Sequence, residues 1–150
     1  KFISQYLKEV KKYFRAPGVS RHPVILVVDH DEGGKRVYQE AAKVAKKELD
    51  LGKPFEHVAE NLYLVTTPLA AGSAESCIEN CFTAGTLGTL LGGKKFNYKG
   101  TAIDEATEYA KAYFAEHVVK PNAGSIPFDG FDPLLDRLQQ VILHYATAPK

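Results

Sequence analysis

Apolar residues recur along the chain with two different periods, and each period predicts a different kind of element. In the first part they follow helical spacing, which predicts a helix over residues 1–15 that Pro17 and Gly18 end. Residues 24–28, VILVV, form a continuous apolar run without alternation. Such a run is typical of a parallel strand that is buried on both faces. We therefore predict a central strand over residues 24–29.

A second helix and a second strand are predicted after the turn DHDEGG. Apolar positions from Val37 to Leu49 recur at helical spacing and predict a helix that ends near Gly52. The run LYLVTT at residues 62–67, closed by Pro68, predicts another buried strand. Helix, strand, helix and strand in this order indicate an α/β fold with right-handed crossovers.

Shorter elements are predicted in the second half of the chain. Ser73 is expected to cap a short helix, and the Gly-rich residues 85–100 predict an irregular segment. Thr101 and Asp104 resemble a capping box for a helix that continues to about Val119.

The last helix is predicted to start at Asp132 and Pro133, a capping residue followed by a proline at the first helical position. It is predicted to bury an apolar stripe that comprises Leu134, Leu135, Leu138, Val141, Ile142 and Tyr145. The sequence contains no repeat or interdomain linker. We therefore predict a single domain over residues 1–150.

Composition narrows the class of protein. The 19 basic and 18 acidic residues nearly cancel, so a site for a polyanion must be local. Every apolar run is far shorter than the roughly 20 residues of a membrane-spanning helix, and no signal-peptide pattern opens the chain. We expect a cytoplasmic protein that has no membrane partner. Cys77 and Cys81, four residues apart, are expected to be buried thiols in a reducing compartment.

The strongest chemical signal is the acidic pair Asp29 and Asp31. A buried parallel strand delivers its last residues to the carboxyl edge of the sheet, where open α/β folds bind ligands. Two adjacent carboxylates repel one another unless a cation lies between them, and Mg²⁺ prefers such oxygen ligands. Gly33 and Gly34 would let a phosphate approach the backbone closely. The structural alternative is an aspartate-rich turn that caps the following helix.

Further candidate residues follow on the next predicted helices. Glu75 and Glu79 have i, i+4 spacing, which places two carboxylates on one helical face as further metal ligands. Lys111, in EYAKAYFAEH, could offset charge that develops on a metal-bound phosphate. Competing phosphate contacts come from lysines of the Gly-rich segment: Lys94, Lys95 and Lys99. A solvated surface role is the alternative for all of these side chains.

The chain resembles a Toprim domain, whose second acidic motif is an aliphatic strand that ends in D-x-D-x-x-G, here DHDEGG. More narrowly, LYLVTTP, ESCIENCF, KKFN, EYAKAYFAEHVVKPN and IPFDGFDPLLDRLQQVILHY resemble the Toprim region fused behind retron reverse transcriptases. The similarity covers most of residues 20–145. It implies a Rossmann-like three-layer sandwich with a mostly parallel central sheet and C-terminal helices.

The resemblance also implies a function and site roles. The expected activity is a nuclease that uses Mg²⁺ or Mn²⁺ in antiphage defence, attached to an RNA-directed DNA polymerase domain and its RNA–DNA hybrid product. Asp29 and Asp31 match the metal pair of the family, Glu79 the downstream acidic position and Lys111 the downstream lysine. The family also has a glutamate after its first strand. We expect that strand and glutamate before Lys1, so the isolated chain should lack full activity.

Three other readings of the motif remain open. ILVVDHDEGG also resembles the opening of a response-regulator receiver, although LVTTPL ends the second strand without an acid. Haloacid-dehalogenase phosphatases begin with a strand and D-x-D, but continue with Gly-Thr where this chain has Glu32. The third alternative is a non-catalytic interaction module that retains the fold.

Overall fold

The computed structural model describes residues 2–13, 22–99 and 102–148. Their contacts divide the chain into two compact units. Unit 1 comprises Lys1–Ile78 and Pro133–Lys150, and unit 2 comprises Glu79–Asp132. Unit 2 is thus inserted in the sequence between the two segments of unit 1.

Unit 1 contains a mixed sheet. In the described part of the chain, β1 (Val24–Val28), β2 (Glu56–Ala59) and β3 (Leu62–Thr66) have the order β1-β3-β2. β1 is parallel to β3, with Val24 opposite Leu62 and Val28 opposite Thr66, whereas β2 is antiparallel to β3. The two predicted strands are confirmed. β2 was not predicted, because EHVA is short and half polar.

The prediction of a central strand at residues 24–29 is wrong for β1 and fits β3 instead. Every residue of β3 is buried, whereas Val27 of β1 is 38% exposed. Among the described residues β1 pairs on one side only, with β3. Since both runs are continuously apolar, the sequence pattern does not distinguish the middle strand from the edge strand.

Helices of unit 1 pack against both faces of this sheet. α1 (Phe2–Tyr13) and α2 (Glu32–Ala45) contribute to a hydrophobic cluster with Leu62 and Leu64, while α5 (Asp132–Thr147) contributes to a second cluster with Tyr63 and Val65. Successive residues of β3 therefore face opposite helical layers, as strand alternation requires. The α/β class is confirmed, with helices from both ends of the chain.

The predicted ends of α1 and α2 have different outcomes. α2 ends at Ala45, before the predicted end near Gly52, because Lys46 adopts the left-handed conformation (φ 53°) and its N–H donates to the Ala42 carbonyl. The start of α5 at Asp132 is confirmed, but the prediction that the helix buries Leu135 and Ile142 is wrong, because both side chains are exposed. Pro17 and Gly18, the predicted stop of the first helix, lie outside the described residues.

Unit 2 has short elements that surround an aromatic cluster. A 3₁₀ turn at Ile78–Cys81 leads into α3 (Ala84–Leu87), and β4 (Lys95–Phe96) pairs in parallel with β5 (Glu108–Tyr109). α4 (Lys111–Phe114) continues as a π-helical segment, Ala115–Val119, and a 3₁₀ turn. The core of unit 2 contains Tyr109, Phe114 and Val118, and the rings of Phe96 and Phe114 stack with centroids 4.1 Å apart.

In the second half of the chain, the helix predicted at Ser73 is wrong. The helix predicted after Asp104 starts later than expected but, with its π-helical continuation, reaches Val119 as expected. No helix begins at Ser73 in the described residues, because the chain first forms a bridge between Ser76 and His30 and turns only from Ile78. The helix expected after Asp104 begins at Lys111. The Asp104 carboxylate accepts hydrogen bonds from the Ala106 amide and the Thr107 hydroxyl, so it closes a local turn. Thr101 lies outside the described residues.

A hydroxyl in the core of unit 1 is buried without a well-formed hydrogen bond. Tyr38 of α2 is 3% exposed, and no described residue meets full hydrogen-bond geometry with its hydroxyl, although the nearby Thr66 side chain acts to lower its pKa. Burial raises the pKa of Tyr38 to about 12, and the nearby Glu56 carboxylate adds to the effect. The neutral phenol is therefore favoured in the folded state, so stability is full below pH ~10 and falls as pH rises toward 12.

Tyr38→Phe is expected to stabilise the fold by about 1 kcal/mol at neutral pH, because it removes a buried, unsatisfied hydroxyl without creating a cavity. It should also reduce the loss of stability between pH 10 and 12. Urea unfolding across pH measures both effects. Tyr6→Phe is the matched control: the Tyr6 hydroxyl donates to Asn61 Oδ1 at 2.8 Å, so its removal should destabilise. Equal loss of stability in both variants would contradict the prediction.

Candidate metal-binding site

The acidic pair follows the last residue of β1 directly. Asp29 is the first residue after the strand, His30 forms a bridge with Ser76, and Asp31 precedes α2. The Thr67 amide, just after β3, donates to the Val28 carbonyl at 3.0 Å. The carboxyl ends of the two parallel strands therefore lie side by side. This is the edge at which α/β folds bind ligands.

A hydrogen-bond network holds the backbone between the two aspartates. The His30 amide donates to Thr67 Oγ1 at 3.0 Å and to the Ser76 carbonyl at 2.8 Å, and the Ser76 amide returns a bond to the His30 carbonyl. Thr67 and Ser76 are buried, with their hydroxyl oxygens 2.7 Å apart. Sequence reasoning missed these two positioning residues, although polar residues after a buried strand were a signal.

Each aspartate already makes a structural contact. Asp31 Oδ1 accepts a hydrogen bond from the Gly34 amide at 2.7 Å and caps α2, as the structural alternative predicted. Asp29 Oδ1 accepts a hydrogen bond from the Ile78 amide at 3.2 Å. These contacts restrain both carboxylates in the same turn. Capping does not exclude metal binding, because the recorded bond of Asp31 uses only Oδ1.

Gly34 is required by a close approach of the helix to the strand. A Cβ atom at Gly34 would lie 1.9 Å from the Asp29 carbonyl oxygen. One at exposed Gly33 would lie 3.1 Å from Asp31 Oδ1, the end of a side chain. Gly34 therefore lets α2 begin directly against the end of β1. Binding of phosphate by either glycine stays a prediction.

The donor set of the turn suits a small hard cation. Mg²⁺ is commonly bound by one or two carboxylates together with waters and substrate phosphates, and Asp29 and Asp31 provide two carboxylates within three residues. Within the described ranges, no group of three or more His, Cys, Asp or Glu side chains is arranged to hold a metal. The residues of the turn thus fit a magnesium ion that retains waters or phosphate ligands.

The two glutamates of the predicted helix are separated by the observed structure. Glu75 is exposed and precedes the bridge at Ser76, whereas buried Glu79 lies in the 3₁₀ turn that begins at Ile78. They do not share a face of one helix. The i, i+4 argument is wrong here because the backbone is extended between Glu75 and the turn.

Glu79 and Lys111 meet within unit 2. Lys111 Nζ donates to Glu79 Oε2 at 2.9 Å, and the Glu79 side chain is 9% exposed. The pairing joins the two residues matched to the family's downstream acidic and lysine positions. An ion pair of this kind also has a plain structural role, since it compensates the desolvated carboxylate.

Lys111→Met is expected to destabilise the protein by about 1–3 kcal/mol, because it leaves the buried Glu79 carboxylate without this partner. Lys120→Met is the matched control: Lys120 Nζ contacts Glu116 at 2.9 Å, but both side chains are largely exposed. Loss of an exposed pair costs less than about 1 kcal/mol. Chemical unfolding of both variants measures the difference. Equal destabilisation would show that burial of Glu79 does not strengthen the pair.

The other candidate cations have surface contacts. Lys94 Nζ donates to the Glu105 carbonyl, Lys95 is exposed, and Lys99 Nζ lies 5.7 Å from the centre of the Tyr98 ring. Their competition with Lys111 for phosphate stays a prediction.

Cys81 is buried, and burial raises the pKa of its thiol.

His30 is subject to positive charges near the acidic pair. Burial lowers its pKa, and Arg137 and Lys35 lower it further, while Asp31 acts in the opposite direction. Arg137 was absent from the candidates that the sequence suggested. The missed signal is its position on α5: it lies three residues after Leu134 and four before Val141, within the buried stripe.

Comparisons with known proteins do not identify a family. No protein-family model matches the chain, and no solved structure matches it. No helix among the described residues is long and apolar enough to cross a membrane. The class that fold and site define is an α/β protein with an acidic pair at the carboxyl edge of its sheet. The Toprim resemblance stays a prediction.

Proposed function

We propose that the chain is a Toprim-type domain that uses Mg²⁺ or Mn²⁺ to cleave phosphodiester bonds in DNA or RNA. The observation that supports this best is the placement of Asp29 and Asp31 in one restrained turn at the end of a parallel strand. The proposal extends the observed α/β class to a Rossmann-like three-layer fold. It also includes a cytoplasmic role in antiphage defence, beside a reverse-transcriptase domain and its hybrid product.

The proposed site assigns separate tasks to the residues. Asp29 and Asp31 hold the cation, and a bound Mg²⁺ supplies Lewis-acid stabilisation of charge on a phosphoryl oxygen. Gly33, exposed at the first turn of α2, leaves the backbone open to a phosphate. The helix N-terminus adds positive potential at the same place. The resemblance also assigns a second acid to Glu79 and a charge-neutralising lysine to Lys111, which pair with each other within unit 2, while Glu75 is a weaker candidate ligand.

One observation favours a non-catalytic alternative. Asp31 caps α2, Asp29 accepts the Ile78 amide, and Glu79 pairs with Lys111, so each candidate side chain has a structural contact. A module that retains the fold for binding alone would keep the same contacts. The two functions differ in their need for a metal.

Metal-dependent cleavage tests the proposal. Labelled single- and double-stranded DNA and RNA are incubated with the natural polypeptide that contains this chain, in Mg²⁺, in Mn²⁺ and in excess EDTA. We expect cleavage with either metal and none with EDTA. Cleavage that persists in EDTA would contradict the proposal. Labelling by acetyl phosphate would instead support a receiver, and hydrolysis of small phosphoesters a phosphatase.

A further inference from the structure

Arg137 reaches from α5 to the carboxyl end of β3. Its Nη1 donates to the carbonyl oxygen of Thr66 at 2.8 Å and to Thr66 Oγ1 at 2.9 Å. Thr66 is fully buried and is the last residue of the strand. On either side of Arg137 in the helix, Leu134 and Val141 pack in the core of unit 1. The guanidinium is therefore held in one place by the helix and by the strand end.

That place lies at the same sheet edge as the acidic pair. Thr66 is opposite Val28 in the parallel register, and Asp29 directly follows Val28, the last residue of β1. Neighbouring strands are about 4.8 Å apart, so the anchor of Arg137 and the start of the acidic turn are close.

The described residues leave the Arg137 guanidinium without an ion-pair partner. Among the described residues, no acidic side chain forms an ion pair with it within 4.0 Å. The side chain is partly buried, and desolvation lowers the pKa of its guanidinium. An incompletely solvated cation without an anion is costly. Its recorded hydrogen bonds use only Nη1, which leaves Nε–H and Nη2–H as further donors.

We propose that Arg137 binds a phosphodiester oxyanion of the nucleic acid beside Asp29 and Asp31, an inference that rests on the proposed function. Nε–H and Nη2–H form the planar fork that matches two phosphate oxygens. Lys111 is a poorer candidate for this contact, because its Nζ is committed to Glu79. The arginine thus supplies the positive charge for the substrate, while the two aspartates supply negative charge for the metal.

Arginine side-chain NMR tests the contact without any need for cleavage. The chain has four arginines, at positions 15, 21, 36 and 137, so the Nε–H signals are few and Arg137→Lys assigns one by its loss. The ¹⁵N-labelled chain is titrated with oligothymidylate, with oligouridylate and with dimethyl phosphate, without divalent metal. We expect a saturable shift of the Arg137 signal. An Arg137 signal that moves no more than that of Arg36 would overturn the inference.

Affinity measurements separate binding from a structural role. Arg137→Gln should weaken oligonucleotide binding about tenfold or more, as loss of a charge-assisted hydrogen bond implies. It should also make the slope of log K against log salt shallower by about 0.7 for a single strand. Arg36→Gln, the control on the exposed face of α2, should change binding less than twofold, within the small effect of one screened surface charge.

The outcomes distinguish this inference from the nuclease proposal. If the protein cleaves nucleic acid with metal but Arg137→Gln binds the oligonucleotide with unchanged affinity, the inference is wrong and the nuclease proposal stands. An Arg137 shift and weakened binding, without cleavage in any metal, would support the phosphate contact and overturn the nuclease. If Arg137→Gln is less stable but binds the oligonucleotide as tightly as Arg36→Gln does, Arg137 only holds the end of β3.

Discussion

Asp29→Asn and Asp31→Asn are each expected to reduce Mg²⁺-dependent cleavage by about 100-fold or more. Loss of an outer-shell partner of a metal ligand already lowers metal affinity or activity about 10- to 100-fold, and these variants remove the charge of the ligand itself. Asparagine has the same shape and retains an acceptor oxygen. Since asparagine caps helices as well as aspartate does, Asp31→Asn should keep α2 intact. Single-turnover rates over a range of Mg²⁺ concentrations measure the effect.

The design separates the metal role of Asp31 from its capping role. Asp31→Ala removes both, and loss of the cap alone should cost about 1 kcal/mol of stability. Asp50→Asn is the matched control, because Asp50 also accepts a glycine amide, that of Gly52, in a turn of unit 1. We expect it to cleave normally. If Asp29→Asn and Asp31→Asn cleave as fast as Asp50→Asn, the acidic pair is structural and the nuclease proposal is wrong.

Gly34→Ala is expected to destabilise the protein by about 3 kcal/mol, at the upper end for insertion of one carbon into a packed site. The new Cβ atom would meet the Asp29 carbonyl oxygen at 1.9 Å, and main-chain atoms cannot move aside as a flexible side chain can. The neighbouring His30 is held by Thr67 and Ser76, which opposes a shift of the strand end. Urea unfolding of the variant measures the loss.

Gly33→Ala is the control, one residue earlier in the same helix. Its Cβ atom would meet only the Asp31 side chain, at 3.1 Å, and alanine is favoured over glycine in a helix by about 1 kcal/mol. We expect stability to change little. The same unfolding midpoint for both variants would mean that α2 can move away from β1. That result would weaken the view that the acidic turn is rigid.

The two predictions test one structural idea by independent measurements. The first concerns the charge of the carboxylates, and the second concerns the backbone that holds them. A rigid turn with carboxylates that bind no metal would support a non-catalytic module. A turn that moves freely, with activity that depends on the carboxylates, would mean that the bound metal itself orders the site.

Local chemistry explains what could be predicted of the site. Asp29, Asp31 and Gly34 were found because the motif is contiguous and follows a recognisable strand. The capping role of Asp31 was also predictable, since Asp31 precedes an amphipathic helix. The contact between Glu79 and Lys111 brings together residues that were singled out separately. The helix predicted for Glu79 was wrong because a bridge at Ser76 and a local turn hold that segment. Lys111 does lie in a helix, which starts later than predicted because Asp104 closes a local turn.

Arg137, Thr67 and Ser76 could not be found in this way. Arg137 lies 108 residues after Asp29 in the sequence, and its relation to the acidic turn depends on how α5 packs on β3. Thr67 and Ser76 become positioning residues only because a bridge brings Ser76 to His30. No periodic pattern encodes such contacts. The available signs were a cation on an apolar helical stripe and polar residues after a buried strand.

The acidic motif, the α/β class, the bounds of β1 and β3 to within one residue, and the start of α5 follow from the sequence alone. Apolar periodicity and capping residues act over a few neighbouring positions. Tertiary structure decided the rest: which apolar strand lies in the middle, where β2 pairs, and which cation reaches the acidic edge. These features depend on contacts between distant residues. Burial and pairing energies, rather than local propensity, determine them.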